Sequence, residues 1–173
     1  MMTFRFAKCA VAVGAIGLAA MLPSNAQAAD ATATAAATIA DAIGITNTAD
    51  MSFGIMSVDP VNPGTVVLSP AGARTPSVEV SLIGGGTVAA AAFDVDGGNN
   101  ATYAITLPAG PVSLTGPGPA MTATAFTDSL AGAGTLDGSG LQSFTVGATL
   151  NVAGGQTAGD YISAGFTVTV NYN

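Results

Sequence analysis

Toward its end the chain alternates. Ile162, Ala164, Phe166, Val168, Val170 and Tyr172 fall on one side of an extended backbone, and Ser163, Gly165, Thr167, Thr169 and Asn171 fall on the other. Successive side chains of a strand point to opposite faces, so this period of two predicts a β-strand with one buried face. The same signature recurs upstream. Phe144, Val146, Ala148, Leu150 and Val152 alternate with Thr145, Gly147, Thr149 and Asn151. Tyr103, Ile105 and Leu107 share one face, as do Val78, Val80 and Leu82. Shorter apolar runs predict further strands over 39–46, 51–58, 64–69, 88–95, 112–114 and 120–126. Of these side chains, Phe144, Val146, Leu150, Phe166, Val168 and Val170 are the expected core and should pack together.

Turn-forming clusters separate the runs: Asn62-Pro63-Gly64, Gly84-Gly85-Gly86, Pro117-Gly118-Pro119, Gly138-Ser139-Gly140 and Gly154-Gly155. No segment keeps a helical period. About nine or ten evenly spaced strands without intervening helices predict an all-β, antiparallel β-sandwich whose two apolar faces form one core. The expected organisation is a leader over 1–28, an N-terminal extension over 29–38 and a single domain over 39–173.

The leader is read from Arg5 and Lys8, the apolar run from Cys9 to Leu22, and Ala26-Gln27-Ala28, a small-x-small cleavage site. The run is shorter than the ~20 residues a spanning helix needs, and no later stretch is long enough, so no membrane span is expected after cleavage. Removal of the leader leaves 145 of the 173 residues and takes away the single cysteine and two of the three basic residues. The remainder holds Arg74 against ten carboxylates, a net charge of −9, with no histidine and no lysine. That balance excludes nucleic acid, whose phosphates need clustered basic groups. The acids are scattered singly and read as solubility.

This inventory also removes most chemistry. Without histidine, lysine or cysteine the chain cannot build Ser/His/Asp, Ser/Lys or thiol catalysis, nor the usual zinc and copper sites. No catalytic residue, cofactor or metal is assigned, and no enzyme is expected. Asp94 and Asp96 form the only close acidic pair, in Asp94-Val95-Asp96-Gly97-Gly98-Asn99-Asn100. Such oxygens suit calcium; Asp, Gly and Asn together also suit a plain turn, the simpler reading. Arg74 is expected to pair with an acid across a strand.

The extension is Ala/Thr-rich, and its threonines favour an extended conformation while its alanines do not. Ala31, Ala33, Ala35, Ala37 and Ile39 are its apolar positions for pairing with another strand.

Met51-Ser52-Phe53-Gly54, Tyr103 to Pro108, Phe144 to Leu150, and Gly159-Asp160-Tyr161 with the strand from Phe166 to Tyr172 stand in an order that resembles the secreted bacterial domain-of-unknown-function family 4402, from about Ile39 to Asn173. That family is similar to the spore-coat-U-like and fimbrial-subunit group of exported, immunoglobulin-like (pilin-like) β-sandwiches. The resemblance implies a fold short of one strand, completed by the N-terminal extension of the next subunit, with Gly159 and Tyr172 standing where fimbrial subunits carry a glycine and a penultimate tyrosine. It also implies a periplasmic chaperone and an outer-membrane usher as partners. The extension offers alanines where such donor strands carry large apolar residues, and the paired cysteines common in fimbrial subunits are missing.

The expected function is therefore a structural subunit of a secreted surface fibre, pilus-like filament or biofilm matrix. It would self-associate into a homopolymer by donor-strand exchange, using Ala31, Ala33, Ala35, Ala37 and Ile39 on one copy and Ile162, Phe166, Val168, Val170 and Tyr172 on the other. The alternative is a monomeric exported binding module that recognises a surface ligand or carbohydrate through its loops. The two differ in what the extension does.

Overall fold

Every regular element among the described residues is a β-strand, as the period-two patterning requires. The computed structural model describes residues 28–173, so the expected leader lies outside the described residues except for Ala28. Thirteen strands follow in order: β1 Gly44–Ala49, β2 Ile55–Val58, β3 Gly64–Leu68, β4 Arg74–Pro76, β5 Val80–Ile83, β6 Ala91–Asp96, β7 Thr102–Thr106, β8 Val112–Thr115, β9 Met121–Asp128, β10 Ala133–Thr135, β11 Leu141–Val152, β12 Ile162–Ser163 and β13 Thr169–Tyr172. All pairings are antiparallel.

An eight-stranded sheet runs β1-β6-β11-β9-β8-β12, with β3 and β4 joined to it through β11. The twelve-residue β11 is its spine. Its first half pairs with β6, Phe144 opposite Phe93, and its second half with β3, Leu150 opposite Val66. Its other edge takes β9. Two small sheets, β10-β7-β13 and β2-β5, complete the fold.

The apolar faces meet in two cores. Tyr103, Ile105, Leu136, Val168 and Val170 pack with Phe93, Val95, Phe144 and Val146 of the large sheet. Phe53 and Val80 pack with Val66, Leu68, Ala123, Leu150 and Val152. The core set named from the sequence is thus divided. Leu150 belongs to the second core, and Phe166 is only half-buried, packed against the rim of the first.

A bulge explains one change of pattern. Gly147 faces Thr127 but Thr149 faces Thr124, so β9 carries an extra residue. Ala125 takes φ 49° there, and the alternation shifts by one, turning both Ala123 and Phe126 inward. Phe126 then reaches Phe166, with ring centroids 5.1 Å apart.

The C-terminal strand departs most from expectation. It is two pieces, β12 on β8 and β13 on β7, separated by 164–168. Gly165 has φ 101° and its N–H donates to Ser163 Oγ at 3.2 Å, a local turn that only glycine adopts easily. The alternation slips by one residue across it. Tyr161 and Ser163 are half-buried, and Ile162, expected inside, is 70% exposed. From Phe166 to Tyr172 the predicted register holds.

Smaller corrections have similar causes. Val78 is exposed because Val80 N–H closes a turn onto the Ser77 carbonyl and β5 starts only at Val80. β4 and β10, three residues each, are too short to show a period. Residues 28–43 carry no regular structure; the strand expected over 39–46 begins at Gly44. Thr38–Asn173 form one compact unit. Arg74 donates Nη1 to the carbonyls of Phe53 at 2.7 Å and Ile55 at 3.2 Å, holding backbone where a carboxylate partner was expected.

Candidate assembly groove

The second layer is made of two pieces, and each piece ends in a strand with a vacant edge. Among the described residues β2 pairs only with β5, and β13 only with β7. Residues 164–168 lie between β12 and β13 outside any strand; Phe166 and Val168 keep a strand's alternation of burial, and this stretch has no ladder partner. A row of unpaired backbone groups is a template for another strand.

Beside the β2 edge, and reaching as far as Phe166 on the other side, lies an open groove of about 1290 Å³. This space is open to the surface and separates two walls of the fold. One wall is 50–58, including all of β2, and the other is 156–166, which carries β12 toward β13. Val112, Leu114, Ala123, Leu150 and Val152 of the large sheet line it, with Phe93 and Phe126. Met51, Met56 and Met121 line it as well, and they are the only methionines beyond the expected leader. Methionine is unbranched and polarizable, and it fits surfaces that must accept a partner.

The rim is fixed by polar contacts. Tyr161 Oη donates to the Thr157 carbonyl at 2.9 Å, and Gln156 Nε2 donates to the Pro119 carbonyl. Arg74 braces the opposite wall through Phe53 and Ile55. At the far end of β6 a second fixed point appears. Gly98 N–H donates to Tyr172 Oη at 2.6 Å, and Tyr172 Oη donates to the Asp41 carbonyl at 2.8 Å. The C-terminal strand thereby fixes Asp41 beside Gly98.

The sequence-named residues do not converge on one place. Phe166 and the exposed Ile162 line the groove. Val168 and Val170 are spent in the core, and Tyr172 acts as the tether at Asp41. Ala31, Ala33, Ala35 and Ala37 are exposed, and Ile39 is 97% exposed. The wall at 50–58, Leu114, Met121 and Gln156 went unnamed; the restriction of the methionines to three positions was the signal that could have found part of it.

The acidic pair behaves as surface. Asp94 and Asp96 are exposed on β6, and Asp94 accepts from Ser143 Oγ at 2.7 Å. No group of three potential metal ligands occurs among the described residues.

Two other carboxylates organise turns. Asp59 Oδ1 accepts from Asn62 N–H at 2.7 Å and Val61 N–H at 2.8 Å, which lowers its pKa. Asp137 is lowered by Leu141 N–H and then Ser139 N–H. Both groups prefer the charged form when folded. Their contribution is present above about pH 4 and is lost as pH falls through the depressed folded values. Burial, and then Asp128, raise the pKa of Tyr103. That contribution is present below about pH 10 and is lost as pH rises past it. With no histidine, the melting temperature should be flat from pH 8 to pH 5 and fall below about pH 4. A step near pH 6–7 in a thermal scan series would contradict this.

A family description, Domain of unknown function (DUF4402), matches residues 43–172. The chain belongs to this family. The match takes in β1 to β13 and both walls of the groove. No curated protein and no solved structure matches the chain.

Proposed function

We propose that this protein is a structural, non-enzymatic subunit of a secreted surface fibre or extracellular matrix. It assembles by β-strand addition, the segment Ala29–Ala40 of one copy entering the groove of the next. The observation that carries this reading is the open groove between 50–58 and 156–166, lined by apolar side chains of the large sheet and ending at Phe166 in a stretch with no ladder partner. Main-chain hydrogen bonds from an added strand supply affinity at such an edge, and side-chain pockets supply specificity.

The fold on this reading is an immunoglobulin-like, pilin-like β-sandwich short of one strand, similar to fimbrial subunits. Its odd-numbered residues from Ala29 to Ile39 are all alanine or isoleucine, and Asp30, Thr32, Thr34 and Thr38 lie among the even-numbered ones. In a strand these form one apolar and one mainly polar face. An unfilled groove needs cover during export, the task of a periplasmic chaperone and an outer-membrane usher.

Electron microscopy of the purified mature protein tests the proposal, with fibres as the expected result. A monodisperse monomer that also fails to bind a synthetic peptide of residues 29–40 would leave the exported binding module, with the methionine-lined groove as its ligand site.

A further inference from the structure

Met51, Met56 and Met121 reach the groove from separate places: Met51 precedes β2, Met56 lies within it, and Met121 opens β9 of the large sheet. Each is half-buried, packed against the second core without being sealed by it. Neither core has a methionine among its buried residues. Methionine is thus not a general gap-filler in this fold; it stands only where the fold opens. Beyond the expected leader the chain has no cysteine, histidine or tryptophan either. Its thioethers are therefore its only sulfur atoms, and they share one cleft.

A thioether takes an oxygen atom from peroxide, and exposure governs how fast. The product, methionine sulfoxide, is polar where the parent side chain was apolar. The face that the segment Ala29–Ala40 would turn to the groove carries alanines and Ile39, with no side-chain donor for that new oxygen. A polar group held against such a face without a hydrogen bond opposes binding. An inserted strand would in turn cover the sulfurs.

We propose that Met51, Met56 and Met121 make the groove a redox-sensitive acceptor: hydrogen peroxide closes an unfilled groove to the segment of a second copy, while a filled groove is protected. The inference rests on the strand-addition reading. In each reaction the sulfur gives an electron pair to one peroxide oxygen. An S–O bond forms and the O–O bond breaks. The displaced hydroxide takes up the proton left on the transferred oxygen and departs as water, so the sulfur is oxidised by two electrons and the peroxide is reduced. An oxidised copy keeps its own segment. It can still donate to a neighbour but no longer accept, so it ends a fibre instead of extending it.

The test uses the full mature chain. Unassembled protein is exposed to hydrogen peroxide and the oxidant is removed. Polymer is then measured by sedimentation, and peptide mass spectrometry reads the oxygen added at each methionine. All three should be oxidised, and polymer formation should fall roughly tenfold or more, the effect of an unpartnered polar group in the contact. Methionine sulfoxide reductases for both epimers should restore it. The oxidised chain should still melt in one cooperative transition. In preformed fibres the same exposure should leave the three methionines largely unreacted. The triple variant Met51→Leu, Met56→Leu, Met121→Leu keeps the groove apolar at similar volume and should assemble alike with and without peroxide. Reductase rescue of the native chain keeps the test decisive if that variant assembles poorly.

Four results overturn the inference while leaving strand addition standing. They are full assembly by the oxidised chain, loss of its cooperative melting, lost assembly that the reductases do not restore, and a triple variant that peroxide still disables. Methionines that react equally fast in fibres and in free chains, or no polymer from the untreated chain, would overturn strand addition into this groove and the inference with it.

Discussion

Phe144→Ala is expected to destabilise the domain by ~3–5 kcal/mol, through lost burial and the cavity left behind. Phe144 is 2% exposed and stacks on Phe93, with ring centroids 5.4 Å apart, across the β11–β6 ladder. Phe93 in turn meets Phe166 at 6.4 Å, so the truncation also loosens the aromatic end of the groove. A domain of this size has about 5–15 kcal/mol of stability in total, so the loss is a large share of it. Thr145→Ala, on the opposite face of β11, should cost less than about 1 kcal/mol. Phe166→Ala should fall between the two, since Phe166 is half-open to the groove before any partner arrives. Urea unfolding at constant m-value measures all three. Equal losses at Phe144 and Thr145 would place the register of β11 one residue off.

The strands that could be read from the sequence are those long enough to repeat. β11 spans twelve residues, and Phe144, Val146, Leu150 and Val152 are buried as their spacing indicates. Alternation fails where the backbone inserts a residue or turns. Ala125 adds one in β9, and Gly165 breaks the last strand, and each reverses inside and outside for the residues beyond it. Neither carries a side chain that announces the change. An alanine at φ 49° gives no warning, and Gly165 is one of 23 glycines.

The groove was less legible for a related reason. It is bounded by 50–58 and 156–166, segments brought together only by pairing between distant strands. Phe166 and Ile162 were found because they belong to a periodic run. Gln156 sits in a Gly- and Ala-rich loop, and what distinguishes it is an unpaired oxygen, which only coordinates reveal. Tyr172 was named for assembly as a strand residue; its hydroxyl instead ties Asp41 to Gly98, a contact set by the fold and not by period.

Deleting Ala29–Thr38 should abolish polymers and leave a folded domain. The segment is exposed, carries no strand, and contributes no side chain to either core. Its removal therefore leaves Ile39–Asn173, the compact unit less its first residue, with its stability nearly unchanged. Assembly behaves differently. If the segment is the added strand, its loss removes the main-chain hydrogen bonds and the apolar face that join one copy to the next, and no weaker contact substitutes. The shortened chain still owns the groove, with its three methionines and Phe166 in a stretch outside any ladder. It should accept the segment of an intact copy and then offer nothing onward. Mixed in increasing proportion with the full mature chain, it should shorten fibres progressively. Sedimentation and electron microscopy of the mixtures read this directly. Fibres of the same length and number from the deleted chain alone would remove the segment from the donor role. Unchanged fibres in the mixtures would remove the groove from the acceptor role, because a chain that can accept but not donate must act as a terminator.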